Sequence, residues 1–131
     1  MDRLLPRRYV PAVAFAVLLL AVSLVPLPET GGPTPAPLGI ALDKWVHAGS
    51  YAALTGLVVW GRQRRGLPAV VAVAVLVVGY GVGIELLQSL VPTRDLSPLD
   101  AVANTVGAFT AGLAVAVVES SSARAWWVSE Q

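Results

Sequence analysis

The sequence predicts an all-α protein, a four-helix transmembrane bundle with both termini in the cytoplasm. Three observations carry this. The chain is 56% hydrophobic and 13% charged, with a mean hydropathy of +0.71, whereas a soluble domain is about 25% charged. Its apolar residues fall into four long runs, and its basic residues cluster on one side of those runs. At 131 residues the length allows a single domain, taken here as residues 1–131. There is no cysteine, which excludes disulfides and thiolate chemistry.

Crossing a hydrocarbon core of about 30 Å takes roughly 20 helical residues. The first run, residues 9–27, is apolar except for Ser23. It is read as an uncleaved anchor, because no small-x-small cleavage site directly follows it. The second run, 42–60, carries Asp43, Lys44 and His47 near its start. The third, 67–90, is interrupted only by Glu85 and Gln88 late in the run. The fourth, 99–118, has Asp100 and Asn104 in its first turns.

Arg3, Arg7, Arg8, Arg62, Arg64, Arg65 and Arg124 lie on one side of these runs, seven of the nine basic residues; Lys44 and Arg94 lie on the other. The positive-inside rule makes the seven-residue side cytoplasmic and the protein a multi-pass component of the cell membrane. Tyr9, Trp45, Trp60, Trp126 and Trp127 fall near span ends, where amphipathic rings prefer the headgroup region. The last two are expected in a tail lying against the inner surface.

Between the first two runs, five prolines from Pro26 to Pro37, with Gly31, Gly32 and Gly39, predict an extended external linker. Leu27-Pro28-Glu29-Thr30-Gly31 spells a cell-wall sorting pentapeptide. Such signals follow a large exported domain near the C-terminus, so this one is read as a turn. In the short loop before the fourth run, Ser97 or Asp95 is expected to cap the helix, with Pro98 in its first turn.

Applying the topology brings the in-span polar groups to one depth. The second and fourth runs start outside and the third ends outside. Asp43, Lys44, His47, Glu85, Gln88, Asp100 and Asn104 therefore share the external end, with Arg94 and Asp95 in the loop above. Glu85 sits roughly 7 to 8 Å below the end of its run at helical rise. Asp43 and His47, and Asp100 and Asn104, are spaced i,i+4; Glu85 and Gln88 are spaced i,i+3, so each pair shares a helix face. Ionisable groups within a span usually face a bundle interior and find partners. The set predicts a small polar cup, its ligand-binding residues being Asp43, His47, Glu85, Gln88, Arg94, Asp95, Asp100 and Asn104. Asp43 or Glu85 is expected to orient His47. Arg94 is expected to pair with Asp95, Glu85 or Asp100, or to bind an anionic headgroup. Lys44 and Asp95 are expected to be solvated bystanders. The alternative is that the same groups only fix helix register. Gly79 with Gly83, and Ala103 with Gly107, are small-x-x-x-small pairs that suit close helix packing.

The order Asp43-Lys44-x-x-His47, Glu85-x-x-Gln88, Arg94-Asp95, Asp100-x-x-Ala103-Asn104-x-x-Gly107 resembles the VanZ-like family. These are small bacterial membrane proteins named for an accessory glycopeptide-resistance protein that lowers susceptibility to teicoplanin. The resemblance covers roughly residues 10–118. It implies a role at the cell envelope and altered glycopeptide sensitivity, without deciding a mechanism.

Two functions compete. In the first, the cup binds an envelope lipid, a lipid-linked precursor or an amphiphilic glycopeptide. In the second, the protein is an enzyme acting on an envelope lipid, with His47 or Glu85 as acid or base, Asp100 as the orienting or second acidic group and Arg94 as phosphate clamp. A purely structural or partner-binding role is the third option. Whether the chain is catalytic is left open. No cofactor is expected, and a metal on His47, Glu85 and Asp100 is disfavoured by the single histidine and the absence of a short ligand motif. The inner halves of the second to fourth runs carry no charge, which argues against a transport pathway. Nucleic-acid binding is not indicated, since topology and anionic inner-leaflet lipid account for the Arg62 to Arg65 cluster.

Overall fold

The structure, a computed structural model, describes residues 6–26, 35–62, 66–94 and 96–129, with side chains as far as residue 122. It is all-helical, with no strand among the described residues. A short 3-10 turn at Arg7–Tyr9 leads into α1 (Val10–Ser23), followed by α2 (Leu42–Arg62), α3 (Leu67–Gln88) and α4 (Pro98–Ser129). Arg3, Arg64, Arg65, Asp95 and the Leu27 to Gly31 pentapeptide lie outside the described residues, as do the side chains of Arg124, Trp126 and Trp127.

Two boundaries differ from the sequence reading by more than two residues. α1 ends at Ser23 rather than near residue 27. Pro26 has no N–H to offer, and its ring crowds the carbonyl four residues earlier, so the helix stops ahead of it. α4 runs past residue 118 to Ser129. No glycine or proline interrupts this stretch, and the hydroxyls of Ser120, Ser121 and Ser122 bond back to the carbonyls of Val117 and Val118 at 2.9 to 3.0 Å. The described end of the first linker is not extended either. It forms a 3-10 turn at Pro37–Gly39, with Leu38 and Gly39 at φ 55 and 75, and Trp45 donates its indole N–H to the Pro37 carbonyl at 3.3 Å.

Successive helices run in opposite directions. The end of α1, the start of α2, the end of α3 and the start of α4 meet at one end, through hydrogen bonds and ion pairs described below. At the other end Tyr9 lies against Gly61, where a Cβ would come within 2.8 Å of its ring, and Val70 lies against Gly112 at 2.9 Å. Between them Tyr51, Leu54, Val73, Val77 and Ala108 form the core, and Phe15, Ala16 and Leu19 of α1 pack on its outside.

The α2–α4 pairing is the most extensive in the fold. Gly107 permits it, because a Cβ there would collide with the Ala48 carbonyl group across the seam. On α3 the close approach is made by Gly81, where a Cβ would lie 2.7 Å from the Tyr51 ring and 3.2 Å from the Asn104 amide. Gly79 and Gly83, the expected packing pair, face open space instead.

Two of the helices, α3 and the Pro98–Ser122 part of α4, are long and apolar enough to cross a membrane. Only 39% and 28% of their most apolar windows are buried inside the protein, so most of that apolar surface points outward.

Candidate functional site

The polar residues of three helices come together as the alternating topology requires. Ser97 begins α4: its hydroxyl accepts the Asp100 N–H at 3.3 Å, and Pro98 occupies the first turn, where no donor is needed. This cap fixes Asp100 and, one turn on, Asn104 on the side of α4 that meets α2. Asp100 binds the Lys44 ammonium through Oδ1. Lys44 also bonds Asp43 Oδ2 at 2.5 Å, so it bridges a half-exposed carboxylate and a largely buried one. The expectation of a solvated Lys44 is corrected: the ammonium ties α2 to α4 at the mouth of the site.

His47 lies one turn deeper. Its Nδ1 is 2.9 Å from Asn104 Oδ1, and its Nε2 is 3.7 Å from Asp100 Oδ2. With a carbonyl oxygen as its partner, Nδ1 acts as the donor of this pair, and Nε2 faces the Asp100 carboxyl group. Asn104, only 2% exposed, rather than Asp43 or Glu85, is the residue that orients the imidazole through a direct hydrogen bond. Gly81 makes room for that amide.

Glu85 comes from α3 and is 4% exposed. Its Oε2 accepts the Ser97 N–H at 3.4 Å, joining the end of α3 to the cap of α4, while Oε1 is buried without a hydrogen-bond partner. One ligand atom each from His47, Glu85 and Asp100 lie within 4.8 Å of one another. These are the three residues the sequence offered as acid–base groups.

Gln88 and Arg94 are placed differently. Arg94 donates from Nε and Nη2 to the Val25 carbonyl at 3.2 and 2.9 Å, and from Nη2 to the Val22 carbonyl at 3.4 Å. Gln88 donates to the Ser23 carbonyl at 3.0 Å. Together they cap the carbonyl end of α1, which Pro26 leaves unsatisfied and whose dipole favours a cation. Among the described residues Arg94 therefore meets main chain rather than Glu85 or Asp100, while Asp95 lies outside them.

Two pockets adjoin this end. One, of about 280 Å³, lies between α1, α2 and α3; Phe15, Leu18, Leu19 and Val46 form apolar walls, and His47, Ser50, Gln88 and Arg94 form a polar rim. The other, of about 470 Å³, runs between the starts of α2 and α4, with Lys44 and Trp45 beside Leu99, Val102 and Val106. Sequence reasoning anticipated the Ser97 cap but missed Ser50, the bond from Ser97 N–H to Glu85 and the bridging role of Lys44. The alternation of charge between Asp43, Lys44 and Asp100 was the available signal for the last.

No family model matches the chain, and no curated protein or solved structure is significantly similar to it.

Proposed function

We propose that the protein is a four-span membrane protein whose extracytoplasmic end binds an amphiphile of the cell envelope, a lipid or a lipid-linked precursor. The observation that carries this reading is the pocket between α1, α2 and α3, which joins apolar walls to the rim of His47, Ser50, Gln88 and Arg94. An acyl chain suits the walls, and an anionic headgroup suits the donors at the rim. The groove beside Lys44 and Trp45 offers a second place of the same character.

Membrane insertion of all four helices is supported by what they expose. Val17 and Leu18 on α1, Val46 and Trp60 on α2, Leu76 (66%) on α3 and Leu113 (62%) on α4 all point outward. Water-exposed apolar surface on this scale is rare in soluble monomers, whereas lipid covers it without cost. Arg7, Arg8 and Arg62 share the end opposite the polar site, which the positive-inside rule assigns to the cytoplasm along with both termini. The chain has no cysteine, so orientation can be read from single introduced thiols. Leu96→Cys should react with an impermeant maleimide in intact cells, and Ser122→Cys only after permeabilisation. The reverse pattern would sink the topology.

The VanZ-like resemblance adds an envelope role and a change in glycopeptide susceptibility to the proposal. Ligand binding is tested by native mass spectrometry on gently extracted full-length protein. A specific lipid should co-purify with wild type and be lost from Ser50→Phe, which fills the pocket and leaves the Arg94 cap intact. Equal lipid retention in both would reject the pocket as the site.

The clustering of His47, Glu85 and Asp100 favours a second reading, acid–base catalysis on the same lipid class. Turnover of labelled envelope lipid by purified protein, abolished in Glu85→Gln, would select it. A cell phenotype that survives both Glu85→Gln and His47→Ala would leave these residues a structural role only.

A further inference from the structure

We propose that His47, Glu85 and Asp100 form a binding site for a divalent transition-metal cation, of which Zn²⁺ is the natural probe. The sequence argued against such a site, because the three residues lie on three helices with no short ligand spacing. The fold removes that objection by bringing one ligand atom from each within 4.8 Å of the others.

Three further features point the same way. Glu85 is 4% exposed, yet its Oε1 has no hydrogen-bond partner among the described residues. A buried carboxylate oxygen left unpartnered is costly, and a cation among the three side chains would satisfy it. His47 is arranged as metal-ligating histidines are: its outer nitrogen is held by the Asn104 amide oxygen, which leaves Nε2 as the donor, 3.7 Å from Asp100 Oδ2. The donor set also suits a cation, since Asp43, Glu85 and Asp100 bring three carboxyl groups to this end against the single ammonium of Lys44. Lys44 engages Asp100 through Oδ1 and leaves Oδ2 free to coordinate.

One imidazole and two carboxylates suit Zn²⁺ or Mn²⁺ better than Ca²⁺ or Mg²⁺, which favour all-oxygen shells. Bonds of about 2.0–2.2 Å place tetrahedral ligand atoms roughly 3–3.5 Å apart, so binding draws the three side chains inward by about an ångström. Three protein ligands leave a coordination position for water or for an anionic group of a bound molecule. The site stands apart from the lipid reading, since it is tested with metal alone.

The experiment uses the full-length chain in detergent, stripped with a chelator and then dialysed against Zn²⁺ or Co²⁺. Elemental analysis of wild type should give one Zn²⁺ per chain, added Zn²⁺ should raise Tm, and Co²⁺ should give the visible absorption of a low-symmetry N/O site. Glu85→Gln, Asp100→Asn and His47→Gln should each weaken binding at least tenfold. Asn104→Ala should weaken it by about 10- to 100-fold through loss of the imidazole's orienting partner. Wild type that retains no metal overturns the proposal even if every variant misfolds. Zn²⁺ held equally by wild type and folded Glu85→Gln overturns it as well, because the ion is then adventitious.

Discussion

At one end of the bundle Lys44, His47, Glu85, Asp100 and Asn104 link three helices through charge and hydrogen bonds, and Arg94 and Gln88 fasten the fourth. At the other end Tyr9 lies closely on Gly61 and Val70 on Gly112. The same four helices thus use two kinds of joint. Apolar surfaces that meet in lipid gain little beyond packing, and small residues that let backbones approach serve the contacts at Gly61 and Gly112. Buried carboxylates and an imidazole need partners, so at the polar end each residue constrains several others. The polar joint is the costlier one, which is why it is read as functional.

The largest expected effect lies at the seam that sets the spacing of the polar joint. Gly107→Ala drives a methyl group into the Ala48 carbonyl, and the helices must separate. A loss of about 3 kcal/mol in stability is expected, at the upper end for overpacking. Gly83→Ala meets open space and should stay within about 0.5 kcal/mol of wild type. Thermal unfolding in detergent compares the two, and an equal change in both would show that the Ala48 contact does not set the difference between these glycines.

Asn104→Leu comes next. It removes the acceptor for His47 Nδ1 at a fully buried position, and about 1–3 kcal/mol is expected for the donor left behind. If the polar joint is only structural, that loss should be the whole phenotype. If it is functional, ligand or metal retention falls even at temperatures where the variant is fully folded.

Arg94→Ala should cost about 1 kcal/mol, the scale of a helix-terminus cation, and act locally. Hydrogen exchange should rise in the last turn of α1 while α2 and α4 stay protected. Protection lost evenly across the helices would contradict the capping role.

The smallest effect tests the interior away from the site. Thr55 is fully buried and its hydroxyl has no hydrogen-bond partner. Thr55→Val should therefore be neutral or stabilising by up to about 1 kcal/mol. A destabilisation of that size would mean that the hydroxyl is satisfied.

Much of the polar end was legible because helix direction alone determines it. Once the runs alternate, Asp43, His47, Glu85, Asp100 and Asn104 must share a level whatever the rotation of each helix. Rotation was harder to read. α3 is apolar all round, with no stripe to mark its inward side, so nothing distinguished Gly81 from Gly79 and Gly83 before the structure was seen. The main-chain contacts of Arg94 were missed for another reason. Its partners are main-chain carbonyls freed by Pro26, and such groups carry no side-chain signature. The length of α1 was overread from its composition, since Leu24 and Val25 are as apolar as the helix they follow. The cation geometry was invisible because it joins residues 47, 85 and 100, and spacing along the chain says nothing about such a set.

The grip of Arg94 and Gln88 on α1 is indifferent to which amino acids they hold. They contact the carbonyl oxygens of Val22, Ser23 and Val25, groups every residue carries. Val22 and Ser23 are also part of the pocket wall. Substitution there can recut the shape of the wall without loosening the fastening behind it. On the proposed reading, the latch and the ligand preference are thereby under separate control, and the wall can change shape while α1 is closed in the same way.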